Sequence, residues 1–293
     1  MNLGGFPCVC MMPPRASRLE DGLTRTFRDR IVARAAEPLT PKGRSAGGRG
    51  GRASAPRRLA SAPRGGPYNR RVEPSTRFAD LTVAVFVDRL ASAEPVPGGG
   101  SAAAVVASLA AGLVAMVASL SRDRPKYADH AALHEEAASA ARRLADRFLE
   151  LADEDAAAYA AFASAMKLPR DTDREREVRA AAMAQAARAA SEAPFQTVQA
   201  CADVVAYAEA LAGRSNRNAS SDLEVAALLA VAATRAAATN VYVNLPSIGD
   251  ESASRELLRR TEELADHIER QADQTRELAR SGETRDPVEA RSE

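Results

Sequence analysis

The sequence predicts an all-α protein, an up-and-down bundle of six or seven helices arranged in two layers. Ala, the residue with the highest helix propensity, is abundant after residue 77. Apolar residues in that region recur at helical spacing, as in the stripe formed by Leu133, Leu144, Phe148 and Leu151. A sheet is not expected, because the one β-prone run, residues 241–243, is too short.

Charge divides the chain into a basic leader and an acidic body. Residues 1–76 contain 15 Lys and Arg against 5 Asp and Glu, whereas residues 77–293 contain 25 against 34. The leader is rich in Gly and Pro, so it cannot bury enough apolar area to offset its chain entropy. We expect a disordered basic extension over 1–76, or sequence translated upstream of the true start, with a nucleic-acid or membrane-surface arm as the alternative. A folded domain over 77–283 and a disordered tail over 284–293 complete the expected organisation.

The cysteines and the longest apolar run bear on the cellular compartment. Cys8, Cys10 and Cys201 do not form a disulfide framework, and a secretory signal is missing, so a reducing cytoplasm is expected. Residues 98–121 carry no charge and are long enough to span a bilayer. Because this run consists largely of Ala, Ser and Gly and no belt of Trp and Tyr flanks it, it predicts a helix buried in a bundle, without a membrane partner.

The helices are bounded by capping residues and by Pro or Gly. They are predicted over about residues 81–93, 101–121, 127–168, 171–191, 195–212, 222–244 and 252–280. Thr82 is a suitable N-cap for the first helix, and Ser101 for the second. Leu168 and Pro169 end the third helix, since the residue before Pro avoids helical backbone angles.

The later helices follow the same rules. Asp171 or Asp173 caps the fourth helix, and Pro194 is expected to kink or break it. Gly213 ends the fifth helix and Pro246 ends the sixth. The last helix is amphipathic, with dense charge opposite an aliphatic face. Ala side chains limit the area that each helix buries, so we expect a thin core that is completed by dimerisation.

A glycine-rich loop, P-V-P-G-G-G-S over residues 95–101, opens the second helix. Gly loses the most backbone entropy on folding, so three in a row suggest that the backbone approaches something closely. The backbone N–H groups of Gly98, Gly99, Gly100 and Ser101 then form a candidate site for a carboxylate or phosphate at a helix N-terminus. The alternative is a tight turn that needs positive φ. No Lys-Ser/Thr pair follows, so the loop is not a P-loop.

A second loop, over residues 216–222, is rich in side-chain amides. Asn216 and Asn218, followed by Ser221 and Asp222, can present donors and acceptors to a polar heterocycle. The alternative is that these residues form a turn and cap the next helix.

Two further polar features lie inside helices. Asn240 and Asn244 are four residues apart on one helix face, and Asn is unfavourable inside helices, which favours a polar lining. Asp155 shares helical spacing with Tyr159 and Phe162, so this carboxylate is expected at the edge of the packed face. The alternative for Asp155 is a solvated run of charge.

Lys167 and a pair of histidines need no functional explanation from their positions. Lys167 stands at the negative end of the third helix, where a cation is favourable. His130 and His134 have a spacing that can bind a metal, but no third ligand is evident. No metal site is therefore expected.

Four motifs, taken in order, resemble those of a known family. They are P-x-P-G-G-G-S (95–101), the acidic helix that ends in K-L-P (167–169), N-x-N-x-x-S-D (216–222) and N-V-Y-V-N-L (240–245). From Thr82 to about Asp250, the chain is similar to the cyclodeaminase domain of formiminotransferase-cyclodeaminase and to stand-alone bacterial methenyltetrahydrofolate cyclohydrolases. One residue departs from the pattern, because the family usually has Gly where this chain has Ser215.

The resemblance implies an all-α homodimer that binds a tetrahydrofolate carrying a one-carbon unit and that needs no cofactor or metal. The implied reaction is either cyclisation of 5-formiminotetrahydrofolate with release of ammonia or hydrolysis of 5,10-methenyltetrahydrofolate to 10-formyltetrahydrofolate. Asp155 or Asp222 would stabilise the cationic carbon and shuttle protons. The residues implied to bind substrate are Gly98, Gly99, Gly100, Ser101, Lys167, Asn216, Asn218, Ser221, Asn240 and Asn244.

Residue chemistry does not separate the two reactions, although the lack of a formiminotransferase domain favours the cyclohydrolase. A different class of function is a non-catalytic helical bundle whose basic leader recruits an acidic partner. The clustered Asn residues argue against that alternative. Nucleic-acid binding is not expected, because the leader has almost no aromatic residues for base stacking.

Overall fold

The computed structural model describes residues 77–287, and every regular element within that range is helical. The α-helices are α1 (Val83–Leu90), α2 (Gly99–Ser121), α3 (Ala131–Met166), α4 (Asp173–Leu211), α5 (Ser220–Asn244) and α6 (Glu251–Ser281). Short 3-10 turns lie at Phe78–Asp80, Pro125–His130, Arg217–Ala219 and Leu245–Ser247. The predicted all-α class is confirmed, with six helices in the described range. The predicted disorder of 1–76 lies outside that range and stays a prediction.

Helices α2 to α5 form a four-helix bundle. α2 packs against α3 and α5, α4 packs against the same two helices, and α6 lies against α4 and α5. Two hydroxyls show that α2 and α3 are antiparallel, since Ser101 Oγ is 3.1 Å from Ala152 O and Ser108 Oγ is 2.9 Å from Ala145 O. Short connections join consecutive helices at alternating ends, which is the predicted up-and-down arrangement.

Small side chains fill most of the core. The buried residues of α2 and α5 are mainly Ala, and larger buried side chains are fewer. The largest fully buried apolar side chains include Phe148, Leu151, Leu211, Leu223 and Ile268. Because Ala has a single methyl group, adjacent backbones approach closely, and the hydroxyls of Ser101 and Ser108 on α2 each reach a carbonyl group on α3.

α2 is apolar on its outer face as well as on its inner face. By length and composition, Gly99–Ser121 and Arg217–Ser247 are both apolar enough to cross a membrane, and 50% and 44% of their most apolar windows are buried in the bundle. Leu109, Met116 and Leu120 are 57%, 38% and 43% exposed. The prediction of a buried helix therefore holds for only one side of α2.

Two helices begin at caps that differ from the predicted ones. α2 begins at Gly99 with Gly98 as its N-cap, so Ser101 lies inside the first turn, where its hydroxyl bonds to α3. α4 is capped by Thr172 rather than by an Asp, because Thr172 and Glu175 form a reciprocal capping box. α3 also begins later than predicted, behind the 3-10 turn that contains its expected first residue.

The short helix α1 lies at the edge of the bundle and is tied to α3. Thr82 caps it as predicted, because its hydroxyl accepts the Val85 N–H at 3.2 Å. Phe78, in the preceding turn, packs edge-on against Phe86 with 5.5 Å between the ring centroids. The Phe78 N–H also donates to Asp153 Oδ1 at 2.8 Å. These contacts hold α1 beside the middle of α3.

Pro194 does not break α4, which runs without interruption from Asp173 to Leu211. A proline inside a helix has no N–H, so the carbonyl four residues earlier loses its donor. Asn244 Nδ2 donates to that carbonyl, Ala190 O, at 3.2 Å. The predicted break is therefore wrong, because the end of α5 supplies the missing hydrogen bond.

The folded unit continues past the predicted boundary at residue 283. The Arg285 N–H donates to Gly213 O at 3.0 Å, and the Arg285 guanidinium pairs with Glu209 at 2.8 Å. The chain after α6 is thus held against the turn between α4 and α5. Residues 288–293, the rest of the predicted tail, lie outside the described range.

Asn244→Ala is expected to destabilise the protein by about 1–3 kcal/mol, because it leaves the Ala190 carbonyl without a donor. In a Pro194→Ala background the same substitution should cost less, since residue 194 regains an N–H that can bond to Ala190. Urea unfolding of the wild type, both single variants and the double variant measures this coupling. Equal losses in the two backgrounds would contradict the role given to Asn244.

Candidate active site

A carboxylate lies against the N-terminus of α2. Asp155, on α3, accepts a hydrogen bond from the Ser101 hydroxyl at 2.9 Å and another from the Ser101 backbone N–H. That N–H belongs to the first turn, whose donors have no partner within the helix itself. The protein's own anion therefore occupies the position at which the sequence predicts a bound anion.

Gly100 is needed for space rather than for an unusual backbone conformation. None of the three consecutive glycines has a positive φ. A Cβ added to Gly100 would lie 2.1 Å from Asp155 Oδ1, a distance that real Cβ atoms do not tolerate. The expected close approach is confirmed at Gly100, and the neighbour that approaches is the carboxylate of α3.

The environment of Asp155 favours its protonated form more than water does. Burial raises the pKa of Asp155, and the two hydrogen bonds from Ser101 oppose this shift without cancelling it. An aspartate whose pKa rises on folding destabilises the folded state as the pH increases from the unfolded pKa through the folded one. Ionised Asp155 therefore costs stability, which is typical of groups that are retained for function.

Asn240 and Asn244 lie at the same end of the bundle as Asp155. The Asn240 amide is 3.7 Å from the position that a Cβ on Gly99 would take, and Asn240 is half-exposed. Asn244 is 7% exposed, and its amide nitrogen donates to Ala190 O and to Asn240 O. Asn240 Nδ2 donates to Ala236 O at 2.8 Å, so its Oδ1 and its second N–H can meet a ligand, whereas both N–H groups of Asn244 are used within the protein. We call this group the carboxylate site; it comprises Gly98, Gly99, Gly100, Ser101, Asp155, Asn240 and Asn244.

The other predicted polar group comprises residues 213–222, from the turn after α4 to the first turn of α5, which we call the amide loop. Asn216 is buried, and its side-chain oxygen accepts the Asn218 N–H at 3.2 Å, so it caps the short 3-10 turn. Asn218 and Ser221 are exposed, and Asp222 is half-buried in the first turn of α5. Asn216 thus has the turn-forming role that was the alternative, while Asn218, Ser221 and Asp222 face accessible space.

The carboxylate site and the amide loop lie at opposite ends of α2. The Asn216 N–H donates to Ser121 Oγ at 2.8 Å, at the last residue of α2, whereas Asp155 contacts Ser101 in the first turn. At 1.5 Å per residue, the helix between these two serines spans about 30 Å. One chain therefore does not bring the two predicted groups together. Lys167 joins neither group, because it is exposed at the end of α3, roughly 18 Å beyond Asp155 along the helix.

Sequence reasoning missed the side chains that hold the amide loop in place. His134 Nε2 donates to Arg214 O at 2.9 Å, and the Tyr127 hydroxyl accepts the Arg217 N–H at 3.1 Å. His134 is fully buried. Its helical spacing with the buried alanines 137, 138 and 141 is the signal that could have revealed this. No group of three or more metal-binding side chains lies together among residues 77–287.

The departure at Ser215 requires no special backbone geometry. Among the described residues, Asp123 is the one non-Gly residue with a positive φ. The left-handed position of this turn is Gly213, with φ of 75°. Ser215 is buried in an ordinary conformation, so the turn keeps a glycine but places it two residues earlier.

The carboxylate site is suited to proton transfer beside a positive charge. A partly desolvated carboxyl group with a raised pKa exchanges protons closer to neutral pH than an ordinary aspartate does. When it is ionised, it stabilises a neighbouring cation more strongly than it would in water. Because an anion already stands at the helix N-terminus, the site favours a ligand whose reacting centre is positively charged.

Comparisons with known proteins agree with the motifs. A family model described as formiminotransferase-cyclodeaminase matches residues 82–263. The chain is 36% identical over 183 residues to methenyltetrahydrofolate cyclohydrolase of Methylorubrum extorquens. The aligned region covers 62% of this chain and 88% of that protein. It is 33% identical over 166 residues to formimidoyltransferase-cyclodeaminase of Gallus gallus, which covers 57% of this chain but only 31% of that longer protein. The crystal structure of formiminotetrahydrofolate cyclodeaminase from Thermotoga maritima superposes with a TM-score of 0.63 at 27% identity, covering 69% of this chain and 98% of that one.

Ser101→Ala is expected to raise the pKa of Asp155 further, because it removes a hydrogen bond that favours the charged carboxylate. A ¹³C NMR titration of the Asp155 carboxyl carbon measures this change. Ser108→Ala is the matched control, since Ser108 donates to Ala145 O between the same two helices. An unchanged titration in Ser101→Ala, or an equal shift in Ser108→Ala, would argue against the contact as the cause.

Proposed function

The chain belongs to the formiminotransferase-cyclodeaminase family, and on that premise we propose that it hydrolyses 5,10-methenyltetrahydrofolate to 10-formyltetrahydrofolate. The observation that carries the proposal is the desolvated Asp155 carboxylate at the start of α2, because the methenyl carbon is cationic. The similarity to a cyclohydrolase over 88% of that protein supports this reaction. The alternative of a non-catalytic interaction protein is not favoured by these similarities.

Asp155 would act first as a base and then as an acid. Water attacks the methenyl carbon, and the Asp155 carboxylate accepts one of its protons as the tetrahedral adduct forms. The bond from this carbon to N5 then breaks, and N5 takes the proton that Asp155 holds. The hydroxyl of the adduct loses its proton to solvent and becomes the carbonyl of the formyl group on N10. One water is consumed and one proton is released, which balances the loss of the substrate's positive charge.

A second candidate reaction is the cyclisation of 5-formiminotetrahydrofolate. The match to a formiminotetrahydrofolate cyclodeaminase over 98% of that chain supports it. N10 then attacks the formimino carbon, and the N10 proton passes to the formimino nitrogen. Protonated Asp155 donates one further proton to that nitrogen, so that ammonia leaves and the methenyl cation forms. A raised pKa suits this step as well, since the carboxyl group must carry a proton near neutral pH. Both reactions use the same carboxylate, and neither requires a metal or a redox cofactor in this proposal.

The carboxylate site needs additional polar groups to hold a pterin ring. Asn240 is its one half-exposed amide, whereas Asn218 and Asp222 lie about 30 Å away in the amide loop. We propose that a second copy of the chain supplies them. The site would then lie between two subunits, in accordance with the homodimer that the resemblance implies.

The outer face of α2 is the surface that we propose for this dimer. Leu109, Met116 and Leu120 are exposed there at heptad-like spacing, which is typical of a helix seam. Gly112 lies between them, and a Cβ added to it would meet no atom of the described residues within 4 Å. A glycine inside a helix costs about 1 kcal/mol relative to Ala, and no neighbour among residues 77–287 requires it. The close approach of a second backbone at this position would explain why residue 112 is a glycine.

An antiparallel pairing of two α2 helices would unite the separated groups. With the two-fold axis near Gly112, the first turn of α2 lies opposite Ser121 of the partner subunit. Ser121 holds the amide loop through its hydrogen bond to Asn216. The partner's amide loop would thereby reach the carboxylate site, and symmetry would create two such sites. Asp155 would serve the reacting carbon, while Asn218, Ser221 and Asp222 would bind the pterin from the other side.

Two of the predicted roles are revised in this proposal. The substrate's carboxylate is not placed on the first turn of α2, because Asp155 already stands there. Lys167 is given no role in the site. A cytoplasmic location, which the cysteine content predicts, remains part of the proposal.

Purified protein is expected to remove the near-ultraviolet absorbance of 5,10-methenyltetrahydrofolate faster than buffer alone does. Asp155→Asn should slow this reaction by about 10²–10⁴-fold, because the carboxylate that moves the proton is lost. Asp203→Asn is the matched control, since burial also raises the pKa of Asp203 and it lies on α4, away from the carboxylate site. Absorbance that instead appears from 5-formiminotetrahydrofolate, with ammonia, would select the second reaction. If the wild type neither removes this absorbance nor generates it from 5-formiminotetrahydrofolate, the proposed function is refuted.

Mixing Asp155→Asn with Asp222→Asn protein is expected to restore activity if each site spans two subunits. A mixed dimer then has one site with both aspartates and one with neither. After random exchange of subunits, the mixture should reach about one quarter of wild-type activity. Sites confined to single chains would leave the mixture as inactive as its components.

The control for this complementation is a variant that cannot pair through α2. Leu109→Glu places a charge on the proposed seam, so it should give monomers in analytical ultracentrifugation and abolish complementation when it is added to both proteins. Val178→Glu is the matched substitution, because Val178 is 48% exposed on α4 and lies outside the seam. A Leu109→Glu protein that still sediments as a dimer would rule out this interface.

A further inference from the structure

The chain after α6 turns back and contacts the amide loop. We call Gly282–Asp286 the strap. The Arg285 N–H donates to Gly213 O at 3.0 Å, and its guanidinium donates to Glu209 O at 2.8 Å and Ala212 O at 3.3 Å. Glu209 lies in the last turn of α4, and Ala212 and Gly213 directly follow the helix, so the arginine adds donors at the negative end of its dipole. A residue more than 70 positions later therefore contributes to the C-terminal end of α4.

Two glycines leave the space that the contact between the strap and the amide loop requires. Gly213 has φ of 75°, and a Cβ there would lie 2.6 Å from Glu283 O. Gly282 has φ of 63°, and a Cβ there would lie 2.7 Å from an Arg217 guanidinium nitrogen. Each surface thus lacks a side chain where the other surface approaches. This complementarity indicates a specific contact rather than an incidental one.

Before its 3-10 turn at Arg217–Ala219, the amide loop is held mainly by anchors from other elements. Its backbone groups at four positions are each bonded to a different element. The anchors are Arg285 N–H to Gly213 O, His134 Nε2 to Arg214 O, Ser121 Oγ to Asn216 N–H, and Tyr127 OH to Arg217 N–H. Three of these anchors lie within the residues that match the family model, 82–263, and the strap lies beyond them.

We propose that Arg285 is a positioning residue, which holds the amide loop in the conformation that binds substrate. The inference rests on the proposed function for its kinetic part, because the loop acts there from the partner subunit. The ion pair of Arg285 with Glu209 is partly shielded from water, because each side chain is only 26% exposed. Arg285 Nη1 lies 2.8 Å from Glu209 Oε1. Arg214 Nε also donates to Asp286 O, so the residue that follows Arg285 in the strap contacts the loop as well.

Loss of this anchor should reduce the fraction of protein whose loop is competent to bind. The apparent affinity for substrate falls in proportion to that fraction, while chemistry in the bound state is little changed. Arg285→Ala should therefore raise KM for 5,10-methenyltetrahydrofolate by about fivefold or more and change kcat by less than about twofold. Arg285→Lys keeps the charge but loses the planar guanidinium, whose Nη1 donates to both carbonyls, so its KM should lie between those of the wild type and Arg285→Ala.

Hydrogen exchange measured by mass spectrometry on the full-length protein tests the structural part separately. In Arg285→Ala, peptides that contain residues 213–219 should exchange at least about fivefold faster, while peptides from α2 and α3 should not change. Arg259→Ala is the matched control, since Arg259 pairs with Glu256 and Glu263 on its own helix. That variant should leave both exchange and KM at wild-type values.

Faster exchange of the loop together with a raised KM supports the proposal. Unchanged exchange in the loop overturns it, and so does faster exchange with an unchanged KM. If Arg285→Ala fails to fold, Arg285→Lys and Glu209→Gln carry the same comparison with a milder change. A failure of the proposed function appears in the wild type as a lack of turnover, and the exchange experiment still decides whether the strap holds the loop.

Discussion

The contact between Asp155 and the first turn of α2 determines the arrangement of this end of the molecule. The carboxylate can approach the helix only because Gly100 has no side chain, and it remains there because Ser101 donates to it from both hydroxyl and backbone. The same hydroxyl lies 3.1 Å from Ala152 O, so α2 and α3 are held at a short distance. The buried alanines of both helices make that distance possible, and the result is a carboxylate with little water around it.

The up-and-down topology explains why the polar groups are divided between two ends. Antiparallel helices alternate their connections, so the turn that precedes α5 lies at the far end of α2 from the glycine-rich loop. The length of α2 then separates Asp155 from the amide loop by about 30 Å. A symmetric pair of chains is the simplest arrangement that removes this separation, and the apolar outer face of α2 is compatible with one. Fold, surface and chemistry are thus compatible with the proposed assembly.

The sequence predicts the helices well because their signals are local. Ala content, apolar spacing and caps such as Thr82 act within one or two turns of the chain. Pro194 misleads because its lost hydrogen bond is replaced by Asn244, which is 50 residues away in sequence and cannot be inferred from local rules. The same limit applies to the cap of α4, where Thr172 competes with two aspartates and the capping box decides.

The candidate site was predictable as a set of residues but not as a geometry. Motifs identify Gly98–Ser101, Asp155 and the Asn residues, yet spacing along the chain does not tell at which end of a bundle each one lies. The anion expected at the glycine-rich loop proved to be Asp155, because the register between α2 and α3 places it opposite Ser101. The anchors of the amide loop were missed for a similar reason, since His134 and Tyr127 act through single contacts with backbone.

The resident carboxylate at the start of α2 also has a consequence for inhibitor design. A helix N-terminus ordinarily attracts phosphate- or carboxylate-bearing compounds, but at this one such groups would meet a like charge. Compounds in which an amidine or guanidine replaces the one-carbon bridge of the pteridine would form an ion pair with Asp155 at low cost in desolvation, because the carboxylate is already largely removed from water. Selective ligands for this protein should therefore be sought among cationic folate analogues.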